Sequence, residues 1–138
     1  MPISFTIYKQ HRVFVSLYSG HVSDEEFVKA YAEIYRNPAV RPGFNELVDS
    51  RRAEKLDLSG DRLREVAEMV KVFHGDRIGS VRCAHIVESE YQFAISRVYG
   101  TYAQLQGSET TGHFFDLAEA LAWLDLPETA LDEAPGED

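Results

Sequence analysis

Four positions carry side chains suited to binding a ligand: Asp49, Arg51, Ser59 and Arg97. Asp49-Ser50-Arg51-Arg52 directly follows the apolar pair Leu47-Val48. If that pair closes a strand, Asp49 and Arg51 stand at its carboxyl end, where open α/β sheets receive their ligands. A carboxylate and a guanidinium there suit a small polar or anionic molecule, or a salt bridge that ties the loop. Ser59, in Asp57-Leu58-Ser59-Gly60, precedes a stretch of apolar residues at helical spacing. Its hydroxyl suits an N-cap, and the same cluster of free N–H groups would favour an anion or a phosphate on the serine itself. Arg97, between Ser96 and Val98 on an expected helix, is a partner for Asp49, for Asp116 or for an anionic ligand.

Cys83 and His85 lie two residues apart in the mostly apolar run Val81–Val87. A reactive thiol needs a depressed pKa and some exposure, whereas a buried cysteine behaves as a small hydrophobe. With Asp49 at a neighbouring strand end, these two residues form the one constellation on which an enzyme can be built, a small-molecule enzyme with a pocket near Asp49, Cys83 and His85. General acid–base work requires them within hydrogen-bond reach of one another. The phosphate-binding, dinucleotide-binding and nucleophile-elbow glycine motifs are absent, as is H-E-x-x-H. The histidines at 11, 21, 74, 85 and 113 fall in different elements without ligand spacing, and one cysteine cannot build a thiolate cage. No metal and no cofactor is expected.

The chain has 138 residues, 14 Lys+Arg against 23 Asp+Glu, and a formal net charge of -9, which fits one globular domain and argues against nucleic-acid binding. Much of the excess is terminal. From Pro127 to Asp138 there are five acids and no base, so residues 1–126 carry 14 bases against 18 acids, a net of -4. The expected organisation is a domain over 1–126 and a disordered acidic tail over 127–138. No signal peptide is visible and no apolar run approaches the ~20 residues that span a bilayer, so a cytoplasmic location is expected.

Ile3, Phe5 and Ile7 alternate with polar residues, and Val13, Val15 and Leu17 alternate with Phe14, Ser16 and Tyr18, which predicts a hairpin. Ser23-Asp24-Glu25-Glu26 is a capping box opening a helix through Ile34, and Asn37-Pro38 ends it. Phe44 to Asp49 reads as a strand and Ser50 to Lys55 as a charged loop. A second helix carries Leu63, Val66, Ala67, Val70 and Phe73 on one face, with Gly75 as its stop. Val81–Val87 reads as a central strand, and Ser89-Glu90-Tyr91-Gln92 as a second capping box. The helix after it repeats at 91, 95, 98, 102 and 105, which predicts that face as buried. Tyr99 and Tyr102 offer a face for a homodimer. His113-Phe114-Phe115 and a helix over 116–124 close the body. The order β-β-α-β-α-β-α-β-α predicts an α/β single domain with a mixed, mostly parallel five-stranded sheet flanked by helices.

The hairpin, the capped first helix, F-x-x-L-V-D-S-R over Phe44–Arg51, Ile95-Ser96-Arg97-Val98-Tyr99 and the closing Phe114–Leu124 segment together resemble the SpoIIAA-like family, bacterial STAS-like domains related to the SEC14 fold. The resemblance spans about residues 3–126. It implies a mixed sheet with flanking helices and no established catalytic apparatus. In the antagonist relatives a serine in a D-S-S-G segment is phosphorylated. Asp57-Leu58-Ser59-Gly60 looks similar, with Ser59 at the phosphoacceptor position and Leu58 where the first serine would stand.

These readings predict a non-enzymatic regulatory or binding domain, taking a protein partner, a lipid or a small anion near Asp49, Arg51, Ser59 and Arg97.

Overall fold

In the computed structural model, which describes residues 2–132, the alternating segments pair as expected. Strand β1 (Ile3–Tyr8) runs antiparallel to β2 (Val13–Ser23), joined by a 3-10 turn at Lys9–His11. Arg12 closes that turn in the left-handed region. The rest alternates: α1 (Asp24–Ile34), β3 (Asn45–Asp57), α2 (Gly60–His74), β4 (Arg82–Ile86), α3 (Glu90–Gln106), β5 (Thr110–Phe114) and α4 (Leu117–Trp123).

The five strands lie in the order β1-β2-β3-β4-β5, with β2 to β5 mutually parallel. A sheet built outward in one direction by right-handed crossovers puts every crossover helix on the same face. Accordingly α1, α2 and α3 cover one face, where Phe27, Tyr31, Leu63, Val66, Val70 and Tyr99 pack on Phe14, Val48 and Cys83. Helix α4 covers the other, where Ala120, Leu121 and Leu124 pack on Val13, Leu47, Ala84 and Ile86. Both faces of β2 to β4 are therefore buried, and β2 reads as apolar on both sides for that reason.

Three local expectations need correction. Ser50 to Lys55 is not a loop: β3 continues to Asp57, paired only with the far half of β2. Two register shifts in that ladder, between Leu17 and Ser19 and between Gly20 and His21, break the alternation that would have marked it as strand. On α3 the buried stripe is Gln92, Ser96, Tyr99 and Ala103, and Tyr91, Val98 and Leu105 are exposed. The inward face of this helix is partly polar, so apolar periodicity points one residue off. The second capping box is only half made. Ser89 Oγ accepts from the Gln92 amide, but the Gln92 side chain accepts from the Glu88 amide (2.7 Å) and donates to the Ala53 carbonyl (2.9 Å), pinning α3 to β3. The first box at Ser23 and Glu26 is complete.

Helix α3 also lies tight on β5. A Cβ on Gly100 would sit 2.6 Å from Thr111 Oγ1, so glycine is required for that approach. Of the expected tail, residues 127–132 fold back: Ala130–Asp132 form a 3-10 turn with Ala130 buried and Leu131 against the α4 layer. Residues 133–138 lie outside the described residues. Among the described residues no helix is long and apolar enough to cross a membrane.

Candidate functional site

The strand registers assemble a polar cluster under α1 and α3. Glu46 on β3 stands opposite Cys83 on β4, and Val48 opposite His85. Cys83 in turn faces Thr111, and His85 faces His113. Glu109 immediately precedes β5. Residues at i and i+2 of a strand share a face, so Glu46, Cys83 and His85 all point to the helices. From above, α1 lowers Tyr31 and α3 lowers Gln92, Ser96 and Tyr99.

Glu46 is buried and well supplied with donors. Its Oε2 accepts from Ser16 Oγ (2.5 Å) and Tyr31 Oη (2.6 Å), and Tyr31 Oη in turn lies 2.5 Å from Tyr18 Oη. Cys83 Sγ lies 3.7 Å from Glu46 Oε1 and 3.4 Å from His85 Nε2. Glu109 accepts from Tyr99 Oη at 2.5 Å through Oε2. The His85 ring stacks on His113 at 5.3 Å, and His113 Nδ1 is 3.0 Å from Ser96 Oγ.

Charge is expensive here. Burial pushes the Glu46 carboxyl up to about 7, against the opposing pull of the Ser16, Tyr31 and Cys83 hydrogen bonds. Burial, then the nearby Glu46, pushes Glu109 to about 8. Burial thus favours the protonated form of both carboxyls. Burial raises the Cys83 thiol well above its usual value, with Glu109 and Glu46 adding to the effect. Burial, helped by His113, lowers His85 to about 3. The result is a polar nest, in which burial disfavours charge, inside an apolar shell.

These groups surround a cavity of about 40 Å³ between the sheet and the three helices. That is room for about three waters. Its walls are Phe27, Val48, Leu58, Leu63, Val66 and Ile95, and its polar inner surface includes Glu46, Cys83, His85, Ser96, Tyr99 and Glu109. No lysine or arginine among the described residues lines it.

Asp49, Arg51, Ser59 and Arg97, singled out from sequence, are not among the residues that line this cavity. Asp49 and Arg51 sit mid-strand on β3, on the α4 side, opposite in parity to Glu46. They form a two-pronged ion pair, Nε to Oδ1 at 3.0 Å and Nη2 to Oδ2 at 2.9 Å. Ser59 is exposed and caps α2, accepting from the Arg62 amide (3.3 Å) while its own amide donates to Asp24 Oδ1 (2.8 Å). Arg97 is exposed on α3 with its guanidinium over the Phe93 ring, and its charge contributes to lowering His113. Cys83 and His85 do meet, but Asp49 is across the sheet from them. A thiol pushed up beside an imidazole pushed down is the reverse of an activated nucleophile pair. Tyr99 is buried and lines the cavity, and Tyr102 is half-buried with Arg64 over its ring.

Glu46 and Glu109 were not legible as site residues. The available signals were an acid beside the apolar pair Leu47-Val48, and the polar i, i+4, i+7 stripe Gln92, Ser96, Tyr99.

No protein-family model matches the sequence, and no curated protein matches it. Among solved structures, the chain is similar to an uncharacterised protein of the DUF3478 family from Shewanella loihica PV-4, described as having a SpoIIAA-like fold. The two are 19% identical, the match covers 88% of this chain and 91% of that one, and the TM-score is 0.51. Likeness at that identity speaks of architecture alone. With the five-stranded mixed sheet and its four flanking helices, it establishes that this chain has a SpoIIAA-like fold.

Proposed function

We propose that the protein is a non-catalytic binding domain whose ligand site is the cavity under α1 to α3, and that its ligand is small and not anionic. One observation carries this reading: the buried Glu46 and Glu109 face one cavity with no lysine or arginine among its described lining residues, and its one histidine, His85, is held neutral by burial. An anion entering there would meet two acids and no counter-charge. A neutral or cationic group would find acceptors already oriented by Ser16, Tyr31 and Tyr99. The apolar walls then hold a short hydrocarbon body, as small-molecule sites do. The small volume favours an occupant of a few heavy atoms over a long acyl chain.

The test is a thermal-shift series at neutral pH with one three-carbon body and three heads: propylamine, propanol and propionate. Ligands this small bind weakly, at about millimolar affinity, so concentrations of ~20 mM or more are needed for mass action to raise Tm. The expected result is stabilisation by the amine and the alcohol and none by propionate. Strongest stabilisation by propionate, or no shift in any arm, overturns the reading.

A further inference from the structure

From the inner surface of the same cavity we infer that Glu46, Cys83 and Glu109 form a binding site for a divalent cation of zinc-like character. The inference rests on the reading of this pocket as a binding site and names an occupant for its polar end. One donor atom from each of the three lies within 4.8 Å of the others, and all three residues are buried. In a tetrahedral zinc site, metal–oxygen bonds of about 2.0–2.2 Å and metal–sulfur bonds of about 2.3 Å bring donors to roughly 3.5 Å from one another. Side-chain adjustments of about an ångström at this site reach that geometry.

Three further features separate this cluster from a chance grouping of acids. The donor set is mixed, two carboxylates and a thiol, and His85 Nε2 lies beside it, 3.4 Å from Cys83 Sγ. A thiolate among carboxylates selects zinc-like ions over magnesium or calcium, which take oxygen donors. Glu109 is 3% exposed and lines the cavity, yet among the described residues it makes one hydrogen bond, Tyr99 Oη to Oε2. Its other oxygen is available to a ligand. Finally, the donors already have outer partners, with Ser16 and Tyr31 holding Glu46 and Tyr99 holding Glu109, as ligands of a protein metal site do.

The probe is Co2+, used on the full chain after chelator treatment and kept reduced. A thiolate–cobalt bond gives a near-ultraviolet charge-transfer band that carboxylates alone do not give. The expected result is a band that saturates at one equivalent, is bleached by Zn2+, and is abolished in Cys83→Ser. Glu109→Gln, which keeps the shape of the side chain, is expected to weaken Co2+ binding by about tenfold or more. Circular dichroism checks that both variants remain folded. If Cys83→Ser does not fold, the Glu109→Gln affinity carries the test. No charge-transfer band, or a band with unchanged affinity in Glu109→Gln, overturns the metal site. The two readings fail separately: propylamine stabilisation without a cobalt band removes the metal and keeps the pocket. A cobalt band with no response to any three-carbon ligand keeps the metal and removes the small-molecule reading.

Discussion

Cys83 and Glu46 stand side by side across the β3–β4 ladder, Sγ to Oε1 at 3.7 Å, both buried under α1 and α3. Burial first, then the neighbouring Glu109 and Glu46 carboxyls, keep the Cys83 thiol protonated. Cys83 is therefore expected to be inert in the folded metal-free protein. Alkylation by iodoacetamide should run at least about 100-fold slower than in urea, because the reactive thiolate forms only on opening. Comparable rates in the two states would show that the thiol is accessible or ionised.

Stability of the metal-free protein should depend on pH with two limbs. Glu46 and Glu109 have folded-state values raised from 4.5 to about 7 and about 8. Their stabilising contribution is complete below 4.5 and is lost as pH rises through 7 and 8. His85 and His74 are lowered by burial from 6.5 to about 3 and about 4, and their contribution is lost as pH falls below 6.5. The Gly43 amide, which donates to His74 Nδ1, holds that ring neutral. Between 4.5 and 6.5 the two effects oppose, so a broad maximum is expected there. Each group contributes a slope of about 1.4 kcal/mol per pH unit within its window. Urea denaturation against pH measures this, and Glu46→Gln with Glu109→Gln should flatten the alkaline limb.

Tyr31→Phe removes the hydroxyl that donates to Glu46 and contacts Tyr18. The ring remains packed on Phe5 and Phe27, so the loss is in hydrogen bonding. A cost of about 1–3 kcal/mol is expected in urea denaturation. The Glu46 carboxyl should also move further up, because the Tyr31 bond opposes its rise.

Gly100→Ala places a methyl 2.6 Å from Thr111 Oγ1, where α3 meets β5. Overpacking of this kind costs about 1–3 kcal/mol. Adding Thr111→Ala should recover most of the loss, so the two substitutions are expected to be strongly non-additive in chemical denaturation.

The architecture was largely legible because its elements obey simple rules. The hairpin alternates, Ser23 and Glu26 form the expected box, and Leu63 to Val70 keep helical period. The site was not, because it sits where those rules are broken. Polar Gln92, Ser96 and Tyr99 occupy the inward face of α3, so the apolar pattern marks Tyr91, Val98 and Leu105, which the fold leaves exposed. Glu46 belongs to a strand whose neighbours Leu47 and Val48 predict burial, and only the register with β4 reveals that it meets Cys83. Asp49 and Arg51 stand at an apparent strand end because the register shifts between β2 and β3 hide the continuation of β3 to Asp57.

The most direct test of the pocket is carbon-13 NMR of glutamate side-chain carboxyls during addition of propylamine at constant neutral pH. The expected result is saturable movement of the Glu46 and Glu109 signals, with the exposed glutamates unmoved and propionate without effect. Unchanged Glu46 and Glu109 signals, or equal small shifts across the surface carboxylates, would contradict a binding site at the buried acids.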